Sequence, residues 1–93
     1  LGSATTATAV VKIQNRLGLH ARPAMAFVDA ANAFTSDVVV RKGQQSVDGK
    51  SIMQMMMLAA TQGTELQIEA AGPDANDAIK ALVNLVNSKF DEE

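Results

Sequence analysis

The chain contains no cysteine. That excludes a disulfide scaffold, a thiolate-ligated zinc site and a thiol nucleophile, and it fits a reducing, cytoplasmic setting. Tryptophan and tyrosine are absent, and aromatic residues make up only 3% of the sequence, which removes stacking platforms for bases or sugars. There is one histidine, too few for a two-histidine metal site or a histidine relay within one chain, and no cofactor is implied. Lys+Arg number 8 against 10 Asp+Glu, a net charge of −2, whereas a nucleic-acid binder is normally basic. No run approaches the ~20 apolar residues that cross a bilayer. The opening LGSATTATA lacks the basic and apolar regions of a secretory signal. It reads as a disordered tail over residues 1–9, its first three residues in the style of a cloning scar.

What remains is sufficient for one small domain. Hydrophobic residues make up 47% of the 93 positions, and a chain of this size buries roughly 60–65% of its unfolded surface around a single core. The domain is expected over residues 10–90, with a frayed acidic tail at 91–93. Residues 10–14 (VVKIQ) alternate, Val11 and Ile13 to one face, and predict a half-buried strand. From Ala21 the period changes to that of a helix, with Ala24, Phe27, Val28 and Ala31 recurring to about Ala33. Pro23 falls in the first turn, where its missing N–H costs nothing. Residues 37–41 (DVVVR) and 44–47 read as a hairpin about Lys42-Gly43. Ser51 and Gln54 have capping-box spacing and open a short Met-rich helix over residues 52–60. Leu66, Ile68 and Ala70 alternate with Glu65, Gln67 and Glu69, a strand with one wet face. Gly72, Pro73 and Asp74 form a turn and cap. Ala78, Ile79, Leu82, Val83, Val86 and Phe90 give the last helix its apolar face. Arg41, Lys42 and Lys50 read as solvated charges. The order β-α-β-β-α-β-α, with polar strand faces throughout, predicts an α+β two-layer open-faced sandwich. Its four-stranded sheet is mostly antiparallel, with three helices on one face.

One position is chemically loaded. His20, in GLHARPA, sits where a glycine-containing loop meets the start of a helix. There the first backbone N–H groups lack intrahelical partners and the helix dipole is positive, which makes an anion site. Arg22 adds a guanidinium with fork geometry for phosphate oxygens. A neutral imidazole is a competent nucleophile near pH 7. A phosphoryl group placed on it would meet donors that stabilise both the bound anion and an in-line transfer. No residue nearby orients a water, which favours a carrier over a hydrolase.

GLHARPA resembles the active-site signature of the HPr family, the histidine-containing phosphocarriers of the bacterial phosphoenolpyruvate-dependent phosphotransferase system. The stretch GKSIMQMMMLAATQGTEL resembles the region of that family that carries a regulatory serine, and the likeness runs from about Val10 to Phe90. It implies that His20 is phosphorylated through Nδ1, that Arg22 stabilises the phosphohistidine, and that the Ala21 and Arg22 N–H groups face the phosphate. It implies that Pro23 fixes the first turn, and that Ser51 matches the serine modified by a dedicated kinase/phosphorylase in some bacteria. Ser51 also has a plain reading as a helix cap.

Four methionines in the 52–60 helix, Met53, Met55, Met56 and Met57, cannot all be buried, and Met suits surfaces that adapt to partners. The resemblance makes Met25, Ile52, Met53 and Met56 a docking face. It implies a monomeric, stoichiometric carrier, not an enzyme acting on a small molecule. Enzyme I is the implied donor and EIIA-type proteins the acceptors. The string Asn-Arg-Leu-Gly-Leu-His is also at home in the family's nitrogen-regulatory branch, whereas Pro23 leans towards the sugar-uptake branch. The alternative function is a regulatory module that works by protein binding, switched at Ser51.

Overall fold

The computed structural model describes residues 5–91. Among the described residues the elements run β1 (Thr5–Lys12), α1 (Ala21–Asn32), β2 (Asp37–Lys42), β3 (Gln45–Asp48), α2 (Ile52–Met57), β4 (Glu65–Gly72) and α3 (Ala75–Asn87), closed by a short 3₁₀ turn at Lys89–Asp91. The strands form one sheet in the order β1-β4-β2-β3, and every neighbouring pair is antiparallel. This is the α+β open-faced sandwich that the patterning predicts.

The period-2 alternation sets the layer. Leu66, Ile68 and Ala70 of β4 point inwards, as do Val11 of β1, Val38 and Val40 of β2 and Val47 of β3. Register places Leu66 opposite Val11, and Ile68 opposite Val40. Against this surface the helices lay Phe27, Val28, Ala31, Met55, Leu82 and Val86, all buried. Full burial of a side chain such as Phe27 contributes about 1.5–3 kcal/mol.

Several boundaries differ from the sequence reading. β1 begins at Thr5, five residues before the expected Val10, so residues 5–9 are strand rather than tail. They pair with residues 68–72. Ala and Thr carry little hydrophobic pattern here, and the ladder with β4 decides their conformation. Residues 1–4 of the expected tail, and 92–93 of the acidic one, lie outside the described residues; Asp91 belongs to the 3₁₀ turn. The hairpin loop is Gly43-Gln44, one residue later than expected, because Lys42 pairs with Gln45. Gly43 takes φ +59° at the first loop position, which glycine permits without a clash. α2 stops at Met57, not Ala60, because Ala59 turns left-handed at φ 51°. α3 ends at Asn87, and Phe90 reaches the core through the 3₁₀ turn rather than by continued helix. The Ser88 hydroxyl donates to Leu85 O there, competing with the helical ladder.

The three cations assigned to solvent are anchored instead. Lys42 Nζ donates to Leu58 O at 2.5 Å, closing the open carbonyl end of α2. Lys50 Nζ donates to Phe34 O at 2.8 Å, just beyond α1. Arg41 pairs with Glu69 across the outer face of the sheet at 2.6 Å. Helix ends leave carbonyls without partners, and long lysine stems reach them from neighbouring strands and loops.

Asp74 heads α3, but its side chain does not cap that helix. The carboxylate instead accepts from Thr35 N and Ser36 N, each at 2.9 Å, and from the Ser36 hydroxyl. It thereby ties the α1–β2 loop to the start of α3. The Ser36 hydroxyl, followed by the Thr35 N–H, lowers its pKa from 3.8 to about 2. A depressed carboxylate stabilises the fold at pH values above its unfolded pKa, and that contribution is lost as pH falls through the folded one. Asp74→Asn is therefore expected to be less stable than the parent at neutral pH, with the gap closing between pH 4 and pH 2. Urea unfolding at stepped pH measures it.

Candidate functional site

The loop that leads into α1 is held by buried groups. The Asn15 side chain is fully buried and its Nδ2 donates to Gly18 O at 2.6 Å. Gly18 N–H donates back to Asn15 O at 3.1 Å, and Leu19 N–H crosses to Ala60 O at 2.8 Å. Gly18 adopts φ +70°, and a Cβ there would lie 2.5 Å from Ala60 O and 2.9 Å from Thr61 Cα. Only glycine lets this turn sit so close to the segment that follows α2. The turn therefore fixes where the next side chain emerges.

After the buried Leu19, the side chain that emerges is His20. It occupies the N-cap position of α1 with extended backbone (φ −78°, ψ −171°), and its imidazole makes no capping bond to the helix. His20 O accepts the first helical hydrogen bond, from Ala24 N at 3.0 Å. The N–H groups of Ala21 and Arg22 precede that bond and have no intrahelical acceptor; Pro23, which follows, carries no N–H at all. His20 is half-buried, Ala21 and Arg22 are exposed, and Pro23 is buried. His20, Arg22 and two N–H groups without intrahelical acceptors thus belong to the first turn of one helix, at the positive end of its dipole.

α2 packs against α1, and Ser51 caps it, its hydroxyl accepting from Gln54 N at 3.2 Å. The expected return bond of the capping box is not the one formed. Gln54 Oε1 accepts from Asp48 N at 2.9 Å, because Ser51 N–H is already given to Asp48 O. The four predicted docking residues Met25, Ile52, Met53 and Met56 are all exposed, and Met55 alone of the methionines is buried. Leu17 and Met57, which were not among the predicted docking residues, are exposed as well. For Leu17 the signal was its place in a loop, where a large apolar side chain has no element to bury it. Asn15 was missed because nothing in its sequence neighbourhood marks it as buried.

A model of the PTS HPr component phosphorylation site matches residues 7–88. The chain belongs to the HPr family. The phosphocarrier protein HPr of Neisseria meningitidis serogroup A is 46% identical over 82 residues, covering 88% of this chain and 92% of that one. The phosphocarrier protein NPr of Proteus mirabilis is 44% identical over 84 residues, covering 89% and 93%. The crystal structure of HPr-C-His from Thermoanaerobacter tengcongensis superposes with a TM-score of 0.90 at 46% identity, over 94% of this chain and 98% of that one. The HPr family supplies phosphocarriers of the phosphotransferase system, and the motif around His20 lies inside the matched region.

Proposed function

We propose that this HPr-family chain takes a phosphoryl group onto His20 Nδ1 from phosphorylated Enzyme I and passes it to an EIIA-type protein. The observation that carries the reading is the half-exposed imidazole at the N-cap of α1, next to the two first-turn N–H groups that the helix leaves without acceptors. The donors favour the dianionic phosphoryl group and spread charge during in-line transfer. Arg22 contributes a cation that cannot lose its proton at physiological pH. Arrival and departure then differ only in which partner is docked, as a carrier requires. Met25, Ile52, Met53 and Met56 form the face on which those partners rest.

The test is incubation with Enzyme I and labelled phosphoenolpyruvate. An acid-labile, base-stable phosphate mapped to His20 by tandem mass spectrometry is the expected result. Transfer of that label to an EIIA-type protein completes it. Absence of label overturns the reading. If inorganic phosphate still shifts the amide signals of Ala21 and Arg22, the site is an anion site and nothing more. If Ser51→Asp then alters binding to a regulatory partner, the regulatory module is the better description.

A further inference from the structure

Among the described residues, the exposed large hydrophobic side chains are Val10, Leu17, Met25, Ile52, Met53, Met56 and Met57. All but Val10 lie in the loop before His20, on the first turns of α1, or on α2. Four of them are thioethers, and because the chain has no cysteine, its five methionines hold all of its sulfur. Their exposures separate cleanly: Met53 78%, Met57 66%, Met25 49%, Met56 44% and Met55 0%. Met25 follows His20 by five positions, about 7.5 Å along the helix axis. α2 carries the other three on a helix packed against α1, and its trailing segment accepts the hydrogen bond from Leu19 N.

An exposed thioether takes an oxygen atom from hydrogen peroxide. The O–O bond breaks, an S–O bond forms, the sulfur loses two electrons and water leaves. The product is polar and chiral where the parent was flexible and apolar. On a surface whose contact value lies in apolar adaptability, that change removes the property that docking uses. A buried methionine would lose its packing instead, but Met55 is shielded within the core, and the four exposed ones lie outside the buried core cluster.

We propose that Met25, Met53, Met56 and Met57 form a peroxide-sensitive modification site whose sulfoxides block docking of the phosphoryl donor, so that oxidation interrupts the relay without unfolding the domain. This rests on the phosphocarrier reading above. Four exposed sulfurs that oxidise at different rates make the response graded. The sulfoxide is returned to the thioether by stereospecific sulfoxide reductases drawing on a dithiol, so the interruption is reversible.

The experiment treats the full chain with graded hydrogen peroxide and removes the excess with catalase. It then maps +16 Da additions by peptide mass spectrometry, and measures the rate of label uptake from untreated Enzyme I and phosphoenolpyruvate. Oxidation is expected at Met53 and Met57 first, Met25 and Met56 next and Met55 last, with uptake slowed by about tenfold or more once the four are modified. Unmodified Met55 and an unchanged circular dichroism spectrum mark the fold as intact. The two reductases with dithiothreitol restore the rate. The M25L/M53L/M56L/M57L variant, whatever its starting rate, is unaffected by peroxide. A four-sulfoxide chain that is labelled at the untreated rate overturns the inference alone. A quadruple variant that slows as much as the parent also overturns it. A chain that takes no label even before oxidation overturns the phosphocarrier reading on which the inference stands.

Discussion

Phosphoryl uptake is expected to vanish in His20→Ala while the domain stays folded. The chain has one histidine and no cysteine, so no second imidazole or thiolate within it substitutes as nucleophile. Serine and threonine hydroxyls are poor nucleophiles without a base beside them. Labelling by Enzyme I should therefore drop to background, a loss of at least about 10³-fold, the order seen when a catalytic nucleophile is removed. Stability should move little. His20 is half-buried and its side chain does not cap α1, so the substitution is expected to cost about 1 kcal/mol or less. Paired measurement of label uptake and urea unfolding separates a lost acceptor from a lost fold. A variant that is folded and labelled as well as the parent would show that His20 is not the acceptor.

Gly18→Ala carries the second large effect, and here stability and function fall together. The new Cβ would press on Ala60 O at 2.5 Å and on Thr61 Cα at 2.9 Å, and neither is the far end of a flexible side chain. The backbone angle of +70° adds strain for any residue with a Cβ, about 1–2 kcal/mol. Forced overlap with neighbouring backbone adds about 1–3 kcal/mol. The sum is about 2–5 kcal/mol, a large part of the stability of a small domain. With a urea slope of about 1–3 kcal/mol/M, the unfolding midpoint should fall by about 1 M or more. Relief of the overlap pushes residues 15–19 away from Ala60 and breaks the hydrogen bond from Leu19 N, so His20 emerges displaced. A shift of about 1 Å at a reacting group costs about 10²-fold in rate. Gly43→Ala is the control, because Gly43 also has positive φ but a Cβ there meets nothing within 4 Å. Its cost should stop at the backbone strain, and phosphoryl uptake by the folded chain should not change.

The order of elements was legible because the strongest patterns were local. The Glu-Leu-Gln-Ile-Glu-Ala alternation of β4 and the alanine-rich period of α1 each hold whichever neighbours pack on them. The position of His20 at a helix start was legible for the same reason, through the glycine before it and the proline after it. What escaped was set by partners distant in sequence. Thr5 to Ala9 become strand because β4 lies beside them, and their own composition is indifferent. Lys42 and Lys50 look solvated until the carbonyls of Leu58 and Phe34, each 16 residues away in the chain, come within reach. Asp74 has the composition of a helix cap, yet its carboxylate serves a loop 38 and 39 positions earlier. Asn15 gave no sign that it would be buried within the loop before His20. The early stop of α2 rests on one alanine with left-handed backbone, a conformation that no propensity assigns to alanine.

The clasp between the turn at Gly18 and the segment after α2 is made of peptide groups, whereas the exposed apolar surface of α2 is made of side chains. Those two duties fall on different atoms. Exposed residues on α2 can thus be exchanged without disturbing that clasp, and the His20 imidazole keeps its place through such a change. A fold arranged in this manner lets one helix be repainted while the loop before His20 stays where it is.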